Sequence, residues 1–116
     1  MNEKRIKLAL EDIILFISKI ERYSKNLNKE KFEKSEMVID AVLRNLELIG
    51  EASKKLPNDF KKKYPNIPWK SIIGLRNIVI HTYADVDLDI IWDIITKNIP
   101  KTKEGFKLIY DNLKGI

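Results

Sequence analysis

Apolar residues recur along the chain at intervals of three and four, and this helical spacing governs nearly every segment. Ile6, Leu10, Ile13, Ile14, Ile17 and Ile20 form one stripe, which predicts a first helix from about Glu3 to Asn26. "NLNKEKFEK" then breaks the pattern and reads as a polar loop. Ser35 is a suitable N-cap for a second helix, with Glu36 in the first turn, running to about Leu56. Val38, Val42, Leu46, Ile49 and Ala52 make its stripe, and Met37, Ala41 and Leu48 widen it. A face that wide can contact two neighbours, one of which can be a second subunit.

Pro57 ends the second helix and opens the one Pro-dense connector, "PNDFKKKYPNIP", where Pro57, Pro65 and Pro68 forbid a continuous helix. A short turn from Phe60 to Tyr64 fits inside it. A third helix begins near Pro68 or Trp69, with proline in a first-turn role. It carries Trp69, Ile72, Ile73, Leu75, Val79 and Ile80 and runs into "RNIVIHTY", Arg76 to Tyr83. "ADVD" interrupts the pattern, and Asp85 or Asp87 can cap a fourth helix through Leu88, Ile91, Trp92 and Ile95. Pro100 bends the chain or starts a fifth helix containing Phe106, Ile109 and Tyr110. No run alternates with period two. The pattern predicts an all-α fold, a four- or five-helix bundle, as a single domain over residues 1–116.

Composition narrows this picture only a little. A chain of 116 residues, 44% hydrophobic and 34% charged, suits one domain with a modest core. The absence of cysteine excludes disulfide and thiol chemistry. With one histidine as well, it leaves no zinc-ligand pattern, and no metal or cofactor is expected. No apolar run approaches membrane-spanning length, and "MNEKRIKLALEDIILF" has acidic residues inside its apolar stretch, unlike a signal peptide. A cytoplasmic protein with no membrane partner is expected. The net charge of +5 permits a polyanionic partner without demanding one.

Candidate chemistry concentrates in "RNIVIHTY". The only histidine, His81, can exchange a proton near neutral pH. Arg76 can clamp a phosphate through two parallel hydrogen bonds. Asn77, one turn before His81, can fix the imidazole tautomer, and the Tyr83 hydroxyl can bind a phosphate or accept a transferred group. The combination suits metal-independent RNA cleavage, with a base at the 2′-hydroxyl and a cation at the crowded phosphorus. A bland reading stands beside it, in which His81 caps a helix end, Arg76 pairs with a carboxylate and Tyr83 is an ordinary half-buried ring. On an ideal helix Arg76 and Tyr83 share a face, whereas His81 lies ~140° round from Arg76. Either the helix unwinds near His81 or a second chain supplies half the site.

Three blocks carry a family resemblance: "RNLELIGEASKKL" (Arg44 to Leu56), "YPNIPWKSIIGLRN" (Tyr64 to Asn77) and the R-x4-H-x-Y arrangement of Arg76, His81 and Tyr83. Together they resemble HepT-like toxins of the HEPN superfamily over most of the chain. The resemblance implies a helical homodimer acting as the ribonuclease toxin of a two-gene toxin–antitoxin pair. Arginine and histidine from both subunits would line a cleft, and a minimal nucleotidyltransferase partner would transfer AMP from ATP to Tyr83. A non-catalytic helical dimer that binds and is modified by that partner is the alternative, and a purely structural dimer is a third. Arg44, Glu47 and Glu51 lie on related turns and can line the cleft, order the arginines or form plain ion pairs. Lys61, Lys62 and Lys63 are candidate contacts to an RNA backbone or an acidic partner, or simply a solvated loop. Asp85, Asp87 and Asp89 cap the fourth helix or face away from the cleft. Trp69 and Trp92 read as core or interface anchors.

Overall fold

The structure, a computed structural model, describes residues 2–81 and 87–113, with the backbone alone at residues 79–81. Every regular element among the described residues is helical: α1 (Glu3–Ser24), α2 (Lys29–Glu33), α3 (Glu36–Lys55), α4 (Asn58–Lys62), α5 (Trp69–Ile73), α6 (Leu75–His81), α7 (Leu88–Asp93), a π-helical turn (Ile94–Asn98) and α8 (Ile99–Leu113). The described residues form an all-α bundle, as the pattern predicts.

The two long helices form as their patterns require. Asn2 caps α1 by accepting a hydrogen bond from the Arg5 amide, and Ile6, Leu10, Ile13, Ile17 and Ile20 are its buried residues. In α3, Val42, Leu43, Leu46 and Ile49 are buried against the same core. α1 lies along α3, and α8 closes on α1 through Phe106 and Ile109.

Four features differ from the sequence reading. The segment read as a polar loop contains α2, because Phe32 is fully buried and stacks on Trp92 with ring centroids 5.2 Å apart. One aromatic anchor thus organises an otherwise charged stretch. Ser35 stands where the cap was expected, but its hydroxyl bonds the Lys31 carbonyl behind it at 2.9 Å and does not cap α3. The short turn near Phe60 is a helix one turn long, held by buried Phe60 against Tyr64 and Trp69. The third helix is not continuous: it stops at Gly74 and restarts as α6, with the Asn77 and Ile78 amides both bonding the Gly74 carbonyl.

Of the two candidate caps for the fourth helix, Asp87 takes the role. Its carboxylate accepts from the amides of Asp89 and Ile90 at 3.0 and 3.4 Å. Asp85 lies outside the described residues. Pro100 has no amide to continue the ladder, and it follows a wide turn in which the Ile99 amide reaches back to Ile94. Proline is therefore accommodated by a π-turn in the second position of α8. Trp69 and Trp92 are the anchors they were read to be. Trp69 packs edge-on to Phe106 and donates from its indole to the Tyr64 carbonyl at 3.0 Å.

Candidate active site

The proposed chemistry begins where α5 gives way to α6. Arg76 stands in the first turn of α6, two residues past the interruption at Gly74. Its Nε lies 3.6 Å from the Glu51 carboxylate of α3, with the arginine side chain 45% exposed and the glutamate 35%. At that distance and exposure the pair contributes little to stability, roughly 0–1 kcal/mol. Its effect is directional, because it draws the guanidinium towards the outer face of α3.

α3 can approach this point closely because residue 50 is glycine. A Cβ placed there would stand 3.2 Å from the Arg76 amide nitrogen and from the Ile72 and Ile73 carbonyl oxygens. The signal in the sequence was a lone glycine inside a strong helical pattern, which commonly marks a close backbone approach. Ser53, one turn further on, is also buried, and its hydroxyl has no hydrogen-bond partner among the described residues.

The predicted site residues fall into distinct groups. Glu51 and Arg76 are brought together. Arg44 pairs along its own helix with Glu47 at 3.5 Å. Asn77 is exposed in the same first turn of α6 as Arg76. The backbone of His81 ends α6, its side chain is not among those described, and Tyr83 lies outside the described residues. Lys61 and Lys62 occupy the end of α4 and Lys63 its C-cap, and Lys62 and Lys63 are exposed. Cations at a helix C-terminus are favoured by the backbone dipole, so their placement has a local cause besides any partner.

Acidic residues past the motif have their own engagements. Asp89 forms a 2.6 Å ion pair with Lys29 of α2. That hydrogen bond, with the attraction between the charges, holds the Asp89 carboxyl below its ordinary range and raises the Lys29 ammonium above its own. Asp89 thus ties α7 to α2. Among the tyrosines, Tyr110 donates to Glu11 at 2.6 Å, which keeps its phenol protonated to a higher pH than usual. Tyr64 is half-buried with its ring against Phe60.

No group of three or more His, Cys, Asp or Glu residues able to hold a metal occurs among the described residues. No described helix is long and apolar enough to cross a membrane. Beside the interruption, α5, α6 and α8 enclose a groove of about 650 Å³, lined in part by Ile72, Leu75, Ile78, Ile99 and Leu108.

Arg76 thus stands beside Glu51 near the start of α6, a helix that ends at His81 in an all-α bundle. The ribonuclease HepT-like family model matches residues 13–109, and the chain belongs to that family. It is similar to a protein of Methanocaldococcus jannaschii provisionally named an RNase, 38% identical over 94% of this chain and the whole of the relative. A protein of Thermococcus cleftensis provisionally named ribonuclease HepT is 41% identical over 84% of this chain and 89% of its own length. A third, provisionally named an RNase in Caldanaerobacter subterraneus, is 42% identical over 78% of this chain and 80% of its own. No solved structure matches the chain.

Proposed function

We propose that the chain is a metal-independent endoribonuclease, the toxin of a type VII toxin–antitoxin pair, working in the cytoplasm as a homodimer of single domains. The observation that carries this reading is the exposed Arg76, steered by Glu51 at the head of the motif helix, in a chain of the HepT-like family. His81 takes the proton from a ribose 2′-hydroxyl. The freed oxygen attacks the adjacent phosphorus, and the bond to the 5′-oxygen breaks. A 2′,3′-cyclic phosphate and a 5′-hydroxyl remain, the departing oxygen taking a proton from imidazolium or water. Arg76 stabilises the charge on the phosphorane through its planar fork, where an ammonium offers only a point charge. Asn77 orients His81, Glu51 orders the arginine, and Arg44 lines the cleft. Lys61, Lys62 and Lys63 contact flanking phosphates of the RNA.

Two features support dimerisation. On an ideal helix Arg76 and His81 diverge by ~140°, so a small ligand is met most easily by residues from two chains. The residues that widen the apolar face of α3 are also left partly open in one subunit: Met37 is 84% exposed, and Ala41 and Leu48 are half-buried.

A nucleotidyltransferase antitoxin silences the enzyme by transferring AMP to Tyr83. The phenolic oxygen attacks the α-phosphorus of ATP and pyrophosphate departs. The added nucleotide brings bulk and negative charge to the path of the RNA phosphates. The test is intact mass and RNA cleavage, before and after incubation with the partner and ATP, for wild type and Tyr83→Phe. Wild type should gain AMP and lose cleavage, whereas Tyr83→Phe should gain nothing and keep its activity. Equal adenylation of both proteins, or mapping to Tyr64 or Tyr110, would refute the assignment.

A further inference from the structure

Gly50 sits in the interior of a twenty-residue helix, where glycine costs about 1 kcal/mol relative to alanine. Something must offset that cost at this position. The three atoms nearest an added Cβ are all backbone, from Ile72, Ile73 and Arg76, each at 3.2 Å. Backbone cannot swing aside as the end of a side chain can. Gly105 makes the contrast: a Cβ there meets the terminal carbon of the Ile67 side chain at 2.5 Å, a group that can rotate away. Gly50 therefore faces a rigid surface, and that surface is the interrupted turn.

At this turn the α5 ladder ends with the Gly74 amide on the Lys70 carbonyl, and the α6 ladder starts from the Gly74 carbonyl. The carbonyls of Ile72 and Ile73 face the side of Gly50 where a side chain would start, each 3.2 Å from the place of a Cβ. The next residue of α3 is Glu51, the partner of Arg76. A single step along α3 thus holds both the backbone of Arg76, through Gly50, and its guanidinium, through Glu51.

We propose that Gly50 is a positioning residue for Arg76: it sets the separation of α3 from the broken turn, and so the direction in which the guanidinium meets the RNA phosphate. The role rests on the ribonuclease reading above. A methyl group at position 50 moves the Arg76 backbone outward by a few tenths of an ångström and lengthens its reach to Glu51. Displacement of ~1 Å in a positioned group can cost ~10²-fold in rate, so a shift of this size should cost about tenfold.

The test compares Gly50→Ala with Gly105→Ala. Nitrogen–proton NMR follows the Arg76 amide and its Nε–H, while cleavage kinetics separate kcat from KM. Gly50→Ala should move both Arg76 signals and lower kcat about tenfold with KM within about twofold. Gly105→Ala should leave the Arg76 signals and kcat in place. In an Arg76→Lys background, Gly50→Ala should lower the residual rate by less than about twofold, because its effect passes through the arginine. Unmoved Arg76 signals in Gly50→Ala, or the same fold-loss in both backgrounds, would overturn the proposal. Glu51→Gln adds no atom at the contact and guards against a Gly50 variant that does not fold. It should shift the Nε–H signal and spare the amide, and an unmoved Nε–H signal also overturns the proposal. If the wild type does not cut RNA the ribonuclease reading fails, and the NMR comparison alone still decides whether Gly50 positions Arg76.

Discussion

The α1–α3 pair and the stretch from α4 to α7 are built on opposite plans. α1 and α3 have 22 and 20 residues, long enough for each to bury a continuous apolar stripe. α4, α5, α6 and α7 have 5, 5, 7 and 6 residues. Isolated helices shorter than ~12 residues are marginal in water, so these pieces depend on tertiary anchors. Phe60, Ile67, Ile72, Leu75 and Ile91 are those anchors, all buried in the common core. The first region is a frame that specifies itself. The second is a chain pinned at intervals, and Arg76, Asn77 and His81 lie there, with Glu51 reaching Arg76 from the frame. Interruptions free the polar side chains near them from the register of a regular helix, and Arg76 lies two residues past one of them.

This division predicts that function and stability can be separated by mutation. The largest effect belongs to His81→Ala. Loss of a general base typically costs ~10²–10⁴-fold in rate. The substitution should reduce RNA cleavage by about that factor while helical content and melting temperature stay near wild type. Cleavage at the wild-type rate would remove the proposed enzymatic role and leave His81 as a helix-end residue.

The frame should behave in the reverse way. Leu46 of α3 is fully buried in the core. Leu46→Ala removes its contacts and leaves a cavity, at a cost of about 2–5 kcal/mol. Chemical denaturation should show that loss, and the rate per folded molecule should remain close to wild type. A drop in that rate as large as the drop caused by His81→Ala would mean that frame and site are not separable.

The same division explains what could be read from the sequence. The stripes of α1 and α3 were legible because period and length agree over several turns, as from Ile6 to Ile20. α2 was not, because a single phenylalanine among charged residues has no period; only the stacking of Phe32 on Trp92 reveals it as an anchor. The break at Gly74 was hidden for a related reason. The apolar residues Ile72, Ile73 and Leu75 continue through it, so the pattern reads as one helix while the hydrogen bonds form two. For the site, the motif residues could be chosen from chemistry and resemblance, but the meeting of Glu51 with Arg76 joins positions 25 apart in sequence. The pairing of Arg44 with Glu47 is local and follows from helical spacing.

The smallest effect tests how the frame meets the pinned region. Ser53 is fully buried in α3, one turn beyond Gly50, and its hydroxyl has no partner among the described residues. A hydroxyl taken from water without replacement costs about 1–3 kcal/mol, and serine is also a poorer helix former than alanine. If the position requires only a small side chain, Ser53→Ala should stabilise the protein by roughly 1 kcal/mol. For a chain of this length the melting temperature should rise by about 4 °C. The substitution removes one atom and adds none, so the spacing of α3 should be preserved and RNA cleavage unchanged. Thermal melting beside a cleavage assay reads both quantities. A fall in stability would show that the Ser53 hydroxyl holds a bond the frame needs. A fall in activity alone would extend the site into the buried face of α3 and weaken the contrast between the two regions.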